Sequence, residues 1–348
     1  MSEPTVKLSV NIVSWNSMAF LPKLFDSLDE QQIPFRTIVV DNASSDGSAA
    51  WLAKEKSHIT VLRNMRNQGF ARAHNQAIQM ALAGWNDADL SKCYIVVCNP
   101  DIEFDAACLK TLVDFMEANF EVDACMPKLR RAYLRATETE QIKTERSETL
   151  DAAGLVLTKS RRAYDRGAGE PDMGQYDGAY DSFGVGGALA CFRASSVVSA
   201  MDGQEFYDED FFAYQEDVDI AWRWKRLGLK SVFVSQALAW HHRAAPSSSS
   251  NWIKAFISRR RKPKHINYLS SRNHVWLLAK HLSVSDLFVH GLWILPYELL
   301  KFAAAVFSPS SLKGYLHALA GLPKMLKKRK KYKQKERLDA RAIRGELV

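Results

Sequence analysis

The sequence predicts an α/β fold with a mostly parallel sheet, followed by a helical extension. In the first third of the chain, short apolar runs alternate with segments of helical spacing, which is the pattern of βαβ units. Past residue 250 the pattern changes to long apolar helices and basic clusters, one of them at residues 259–262. A chain with 47% hydrophobic and 25% charged residues is neither mainly disordered nor a many-span membrane protein. We therefore expect two regions, at residues 1–250 and 251–348.

The strands of the first region are predicted from short apolar runs, and its helices from apolar residues spaced three and four apart. In chain order, the predicted strands are residues 6–14, 37–40, 59–62, 93–98 and 122–126. The predicted helices are residues 18–30, 45–52, 68–83 and 105–119. The run CYIVVC at 93–98 is apolar almost throughout, which predicts a strand that is buried on both faces.

The rest of this region is less regular in sequence. Residues 130–149 are polar and charged without apolar periodicity, so we expect a mobile surface excursion there. An amphipathic helix is predicted at 220–227, with Gly228 closing it. Further strands are predicted at 155–157, 184–193 and 230–234. Pro246 and the four serines after it predict a linker.

The positive charge of the chain is concentrated in its C-terminal tail. Residues 324–348 contain eleven Lys or Arg and three acids, so their net charge of +8 equals that of the whole chain. Basic tails of this kind bind anionic surfaces such as lipid headgroups or nucleic acid. A basic helix that is merely solvated is the alternative.

Just before the tail, residues 287–307 form an apolar segment long enough to suggest a transmembrane helix. On a helical wheel, one polar stripe about 120° wide contains Asp286, His290, Glu298 and Lys301. Such a stripe is typical of a helix that lies in the membrane interface or packs on the protein, and it does not favour a spanning helix. Together with the basic tail, it favours the interface over simple packing.

Cysteine usage and the N-terminus predict the compartment. Five cysteines without a Cys-x-x-Cys pair argue against a disulfide framework and against a structural zinc site. Residues 1–7 lack the basic start and apolar run of a secretory signal. We therefore expect a cytoplasmic location with reduced thiols.

Polar residues follow the predicted strands at their carboxyl ends, where open α/β sheets bind ligands. They lie at 14–16, 41–42, 63–64 and 99–101. Asp41 could accept hydrogen bonds from a nucleobase or ribose. Asp101 could ligate Mg²⁺, which typically takes one or two protein carboxylates together with substrate phosphates.

A second acidic set lies further along the chain. Residues 208–217 combine five acids with aromatic side chains, which is typical of a sugar site, and Glu216 and Asp217 open the helix that follows. His241 and His242 follow a predicted strand and could add an imidazole ligand. The chain contains no G-x-G-x-x-G after a strand, no P-loop and no H-E-x-x-H. The sequence therefore lacks the main motifs that would assign it to the dinucleotide oxidoreductases, the P-loop nucleotidases or the zincins.

Taken together, these residues make the chain similar to the inverting family 2 glycosyltransferases, which have the GT-A fold, and within them to the rhamnosyltransferase-like branch. The resemblance covers about residues 8–249. Its motifs are VSWN at 13–16, VDNASSDGS at 40–48, NQGFARAHN at 67–75, NPD at 99–101, GGA at 186–188, FFAYQEDVD at 211–219 and WR at 222–223.

The resemblance implies a role for each matching position. Asp217 corresponds to the family's general base, with Glu216 beside it. Asp101 would be a metal contact, because Asn99 stands at the first acid of the family's Asp-x-Asp motif. His241 lies where many members have a His near the diphosphate and would be a second metal contact. The implied nucleotide-sugar-binding positions are Ser14, Asn16, Asp41, Asn42, Asp46, Gly69, Asn75, Asn99, Gly187 and Arg223. A structural salt bridge is an equal alternative for Arg223.

The function implied is that of an inverting glycosyltransferase dependent on Mg²⁺ or Mn²⁺. It would move a sugar, with L-rhamnose from dTDP-rhamnose as the first expectation, to a lipid-linked or cell-envelope saccharide. We expect it on the cytoplasmic face of the cell membrane, held peripherally by its C-terminal helices and basic tail, and not on nucleic acid.

Three alternatives stay open: a UDP- or GDP-sugar donor, a catalytically silent nucleotide-binding scaffold docked on membrane or nucleic acid, and a nucleotidyltransferase. The last requires a glycine-rich first loop with a basic residue, and residues 14–20 contain neither.

Overall fold

The computed structural model of the protein describes residues 6–136, 142–242 and 263–348. The predicted linker after Pro246, the basic cluster at 259–262 and the expected boundary at residue 250 lie outside these ranges.

Four parallel strands form the first half of the sheet. They are β1 (Leu8–Ser14), β2 (Arg36–Asp41), β3 (Thr60–Arg63) and β4 (Tyr94–Cys98), connected by α1 (Leu21–Asp29), α2 (Ser48–Glu55) and α3 (Gly69–Ala83). The strands lie side by side in the order β3-β2-β1-β4. The predicted βαβ pattern is confirmed, and β4 is buried along its whole length, as its apolar run predicts.

The second half of the sheet is mixed. Its elements are β5 (Ile102–Phe104), α4 (Cys108–Ala118), β6 (Ala124–Ala136), β7 (Ile142–Ala152), β8 (Leu155–Leu157), β9 (Ala163–Asp165), β10 (Ala179–Asp181), β11 (Leu189–Arg193), α5 (Ala194–Ala200), α6 (Glu216–Arg226) and β12 (Ser231–His241). β11 pairs antiparallel with β4 and β6, and β12 pairs parallel with β6. The order of the sheet is β10-β12-β6-β11-β4-β1-β2-β3, with β5 beside β12 and β7 beside β6. β8 and β9 form a separate pair.

The segment at 130–149 corrects one expectation. Most of it belongs to an antiparallel pairing of β6 with β7, not to a loose excursion. Its charged side chains form ion pairs, with Arg130 contacting Glu148 and Asp172, and Arg135 contacting Glu145. An antiparallel pair can carry polar side chains where it faces water, so apolar periodicity does not reveal it.

The chain ends in four helices: α7 (Lys264–His281), α8 (Val284–Val306), α9 (Pro309–Lys333) and α10 (Ala340–Arg344). Trp276 and Leu277 of α7 belong to one apolar cluster with Phe211 and Trp222 of the sheet region. The C-terminal helices therefore pack on the sheet region through a shared core. The division into two domains at residue 250 stays a prediction.

Helix α8 has its polar stripe turned toward the protein and its apolar side turned outward. Asp286 is buried and lies 2.9 Å from Arg161 Nη2 and 3.1 Å from Arg344 Nη1. On the opposite side Phe288 and Leu292 are each 86% exposed. This orientation is the reverse of that expected for a helix on the surface of a water-soluble domain.

The basic tail is only partly free to bind an anionic surface, and its binding to lipid stays a prediction. Three of its lysines form ion pairs with acidic residues before α6: Lys324 with Asp210, Lys328 with Asp208 and Asp210, and Lys331 with Asp202. Other tail bases have exposed side chains, namely Lys327, Lys330, Lys333, Arg337 and Arg341. Part of the tail's charge is thus neutralised inside the fold.

Candidate active site

A cleft of about 470 Å³ opens where β4 ends. It brings together six of the residues predicted from the sequence: Asn99, Asp101, Gly187, Glu216, Asp217 and His241. They come from the end of β4, the segment before β11, the start of α6 and the end of β12. The fold therefore joins carboxylates that lie far apart in sequence, as expected at the carboxyl edge of such a sheet.

Asp217 lies in the first turn of α6 and remains partly accessible from the cleft. Its Oδ2 accepts a hydrogen bond from the Gly187 N–H at 3.3 Å, and its Oδ1 accepts one from the Val218 N–H at 2.8 Å. Burial and the neighbouring Asp165 carboxylate raise the pKa of Asp217 above its usual range. A carboxylate with a raised pKa is better suited to accept a proton than an ordinary aspartate.

Glu216 beside it is in a different state. Burial and the charge of Asp217 raise the pKa of Glu216 well above its usual range. Its Oε2 is buried without a hydrogen-bond partner among the described residues. We expect Glu216 to be the protonated member of the pair, which leaves Asp217 as the carboxylate able to act as a base.

His241 bridges two carboxylates. Its Nδ1 lies 2.8 Å from Asp151 Oδ2, and its Nε2 lies 3.2 Å from Asp101 Oδ1. Burial alone would lower the pKa of His241, but Asp101 and Asp151 outweigh it and raise that pKa to about 9. A protonated imidazole has no lone pair for a metal, so in this state His241 places positive charge beside Asp101. Its role as a metal contact stays a prediction.

The described residues contain no group of three or more His, Cys, Asp or Glu side chains that could hold a metal ion by themselves. Asp101 presents one carboxylate to the cleft, with Asn99 nearby in the lining. Mg²⁺ typically takes one or two protein carboxylates and completes its shell with phosphate oxygens and water. The residues present therefore fit a cation whose ligands are shared between Asp101 and a bound diphosphate. They do not fit a metal site formed by protein side chains alone.

Ser14 ends β1, which lies beside β4, and Asp41 ends β2 on the other side of β1, at the same edge of the sheet. Ser14 Oγ and Asp41 Oδ1 are both buried without a hydrogen-bond partner among the described residues. Buried polar atoms are nearly always paired, so these two atoms are candidates for a ligand contact, although neither residue lines the cleft. Asn16, two residues after Ser14, instead accepts a hydrogen bond from the Ser45 N–H at 2.8 Å.

Other predicted nucleotide-binding residues are engaged with the protein itself. Asn42 accepts a hydrogen bond from the Gln68 N–H, and Asp46 accepts hydrogen bonds from the N–H groups of Met18 and Ser48. Asn75 binds the backbone at Phe206 and Tyr207. These side chains hold the loops around the site, and none of the three lines the cleft.

Gly69 and Arg223 also lie outside the cleft lining. Gly69 has φ +81°, and a Cβ there would come within 2.5 Å of Phe212, so the position requires glycine. Arg223 is buried, with Nε 3.1 Å from Asp219 Oδ2 and Nη1 3.0 Å from the Ala200 carbonyl. The structure thus shows the salt bridge, one of the two alternatives for Arg223, and a contact with the donor stays a prediction.

The sequence did not reveal one wall of the cleft. Its apolar part consists of Met126, Leu129, Ala152, Leu155 and Ala163 from β6 to β9, and α7 adds Ile266 and Ser270. Tyr164 and Asp165 of β9 also line the cleft. Strands at 122–126 and 155–157 are predicted from the sequence, whereas β7 and β9 are not, and no local pattern places any of these strands beside the cleft.

Three comparisons with known proteins agree with this architecture. Residues 9–165 match the model of glycosyl transferase family 2. The chain is 23% identical over 279 residues to the N-acetylglucosaminyl-diphospho-decaprenol L-rhamnosyltransferase of Mycobacterium tuberculosis, covering 78% of this chain and 87% of that protein. The fold resembles the crystal structure of GalNAc-T7 with UDP, GalNAc and Mn²⁺, with a TM-score of 0.55 and 14% identity. That match covers 80% of this chain and 48% of the other, so the chain spans about half of that structure.

The fold is also similar to the crystal structure of S. aureus TarS 1–349 in complex with UDP-GlcNAc, with a TM-score of 0.47 and 14% identity. That match covers 92% of this chain and 81% of the TarS chain. Residues 9–165 thus match glycosyltransferase family 2, and the mixed sheet with its flanking helices is the GT-A fold.

Proposed function

We propose that this glycosyltransferase transfers L-rhamnose, with inversion, from dTDP-rhamnose to a lipid-linked or growing cell-envelope saccharide at the cytoplasmic face of the membrane. The observation that carries the proposal is the meeting of Asp217 and Asp101 in one cleft, although they are far apart in sequence. The first is suited to accept a proton, and the second to hold the diphosphate end of a donor.

The reaction needs one proton transfer and one departing group. The acceptor hydroxyl attacks the anomeric carbon from the face opposite the leaving group, and Asp217 takes the hydroxyl proton as the new C–O bond forms. The bond between that carbon and the diphosphate oxygen breaks, and the nucleoside diphosphate leaves with the electron pair. Asp101 would hold a divalent cation, whose chemistry is to offset the negative charge on the departing diphosphate. Ser14 and Asp41 would bind the nucleoside through their unpaired buried oxygens.

Two features support a deoxy sugar and a lipid-linked acceptor. The apolar wall formed by Met126, Leu129 and Leu155 suits the methyl group that rhamnose carries where most hexoses have a hydroxymethyl group. The mycobacterial relative is, by its name, a rhamnosyltransferase of a diphospho-decaprenol substrate. Acceptors of that kind place the reacting hydroxyl close to a bilayer.

Helix α8 supports membrane association. Among the described residues it is the one helix long and apolar enough to cross a membrane by length and composition. Its polar residues Asp286 and His290 are buried against the protein, where Asp286 pairs with Arg161. The outward apolar side is exposed, which is the arrangement of a helix lying in the membrane interface. We therefore propose that α8 inserts its outer face into the bilayer surface without spanning it.

A donor screen tests the proposed reaction. The purified full chain is incubated with dTDP-rhamnose, UDP-sugars or GDP-sugars, with Mg²⁺ or Mn²⁺, and nucleoside diphosphate release is measured with and without a lipid-linked acceptor. We expect dTDP-rhamnose to react fastest, and chelation by EDTA to abolish release because the diphosphate charge is then not offset. Preference for another donor would replace the rhamnose assignment. Full activity in excess EDTA would contradict metal dependence and leave His241 as the charge beside the diphosphate.

Substitutions on the outer side of α8 test membrane docking. Phe288→Ser with Leu292→Ser removes two exposed side chains, each able to contribute about 1.5–3 kcal/mol when buried in an apolar phase. We expect the double variant to fold normally and to bind anionic lipid vesicles at least about tenfold more weakly.

The control is Phe120→Ser, which removes a 71% exposed phenylalanine from the turn after α4. It should leave vesicle binding unchanged. The α8 variant should also lose more activity on a lipid-linked acceptor than on a water-soluble one. Equal vesicle binding by the double variant and the parent would exclude α8 as the docking element.

A further inference from the structure

The segment that leads into Asp217 has an unfavourable backbone. We call residues 206–215 the base loop, because the proposed base follows them directly at the start of α6. Within it, three non-glycine residues have left-handed backbones: Phe212, Tyr214 and Gln215, with φ of 65°, 70° and 72°. Such conformations are disfavoured for residues with a Cβ and persist only where surrounding contacts hold them.

One side chain of the C-terminal helices supplies many of those contacts. Asn273 of α7 is fully buried, and its Nδ2 lies 2.8 Å from the Phe211 carbonyl, 2.9 Å from that of Ala213 and 2.7 Å from that of Tyr214. Its Oδ1 accepts a hydrogen bond from Arg272 Nε at 2.9 Å, which leaves the amide nitrogen facing the three carbonyls. An amide N–H₂ group carries two hydrogens, so it can donate to two of these carbonyls while the third shares one of the hydrogens.

Arg272 extends the same contact along the loop. Its Nη2 donates to the carbonyls of Asp210 and Phe211, at 2.9 and 3.0 Å. From the other side, the Ala71 N–H of α3 donates to the Phe212 carbonyl at 3.1 Å. The backbone of the base loop is therefore clamped between α3 and α7, and α7 serves the carbonyls of residues 210, 211, 213 and 214.

We propose that Asn273 is a positioning residue for glycosyl transfer: it fixes the left-handed backbone of the base loop and thereby the direction in which Asp217 enters the cleft. The proposal rests on the function proposed above, in which Asp217 is the base. Ala213, Tyr214 and Gln215 line the cleft themselves, so a shift of the loop would move the wall of the site together with the carboxylate. The part of the donor site at Ser14 and Asp41 lies on other elements and should be unaffected.

The test is Asn273→Ala in the full chain, with Asn273→Ser as a milder variant whose hydroxyl can still serve one carbonyl. Turnover at saturating donor and the donor dissociation constant are measured separately. We expect kcat to fall about tenfold or more for the alanine variant and less for the serine variant, with donor affinity changed by less than about threefold. Turnover and affinity are expected to respond differently, because misplacement of a reacting group lowers the rate of the chemical step and leaves the ground-state binding of the donor unchanged.

His274→Ala is the matched control. His274 is the next residue of α7, is also buried, and has its Nε2 2.7 Å from Glu298 Oε1 of α8, so its loss weakens the packing of α7 on α8. It should lower the thermal midpoint while leaving kcat close to that of the parent. If the alanine variant at 273 fails to fold, the serine variant carries the same comparison.

Three results separate the possible failures. Parent-like kcat in a folded Asn273 variant, or a loss no larger than that of His274→Ala, would overturn the positioning role. A loss of kcat matched by an equal loss of donor affinity would also overturn it, because it would indicate general damage. Asp217→Asn is measured in the same assay: if it retains turnover, the base assignment fails, whatever the Asn273 variants do.

Discussion

Asp217→Asn is expected to lower sugar transfer by about 10²–10⁴-fold, the usual contribution of a general base, while donor binding is retained. The substitution preserves the shape of the side chain, and its amide oxygen can still accept the hydrogen bond from the Gly187 N–H. What it removes is the ability to take a proton from the acceptor hydroxyl. The measurements are single-turnover transfer with saturating donor and a direct titration of donor binding.

The pH dependence of the parent adds a second readout. Burial and Asp165 raise the pKa of Asp217, and a base must be deprotonated to work. Transfer by the parent should therefore rise with pH through a midpoint above about 3.9, the usual value for aspartate. The Asp217→Asn variant should lack this acid limb.

Glu216→Gln is the control for this experiment. We expect Glu216 to be protonated at neutral pH, so exchanging its carboxylic acid for an amide should have a much milder effect. Near-normal turnover in Asp217→Asn would show that the base is another group, and a large loss in Glu216→Gln would make Glu216 the first candidate.

The parallel half of the sheet and the positions of its site residues could be predicted because their signals are local. A continuous apolar run marks β4, and Asn99 and Asp101 follow it directly. The carboxyl ends of neighbouring parallel strands meet at one edge, so Ser14 and Asp41 could be placed from sequence as well. In each case, a short segment carries both the strand and the polar residue at its end.

What could not be predicted depends on contacts between distant segments. The acids at 208–217 look like a sugar site, but Asp208 and Asp210 are bound by Lys328, more than a hundred residues away. A lysine on a basic helix gives no local sign of its partner. Asn273 was missed for the same reason: a single asparagine in a helix has no pattern until the base loop packs against it.

A buried cluster of ion pairs around Lys280 is expected to make a large contribution to the free energy of unfolding. Lys280 of α7 is fully buried, with Nζ 2.6 Å from Asp208 Oδ2 and 2.5 Å from Asp219 Oδ1. Asp219 also contacts Arg223 and His281. Burial would raise the pKa of Asp219, but Lys280 and Arg223 outweigh it and hold that pKa well below its usual range. The cluster joins α7 to α6, so it ties the C-terminal helices to the helix that carries Asp217.

Lys280→Met is expected to lower the free energy of unfolding at pH 7 by about 3–5 kcal/mol, because removing one partner leaves buried charge uncompensated. The control is Lys324→Met, which removes an exposed ion pair with Asp210 and should cost no more than about 1 kcal/mol. Both values come from urea unfolding followed by circular dichroism.

The sign of the pH effect follows from the same charges. In the parent, carboxylates with lowered pKa contribute stability above the usual aspartate value and lose it only as the pH falls through their lowered pKa. In Lys280→Met, Asp208 and Asp219 lose their closest shared cation, so they take up protons at a higher pH than in the parent. Once protonated, they are neutral, and the cost of burying their charge disappears. The difference in unfolding free energy between parent and variant should therefore be largest near pH 7 and shrink as the pH falls toward 4. A small or pH-independent difference would show that Arg223 and Lys328 compensate the two carboxylates without Lys280.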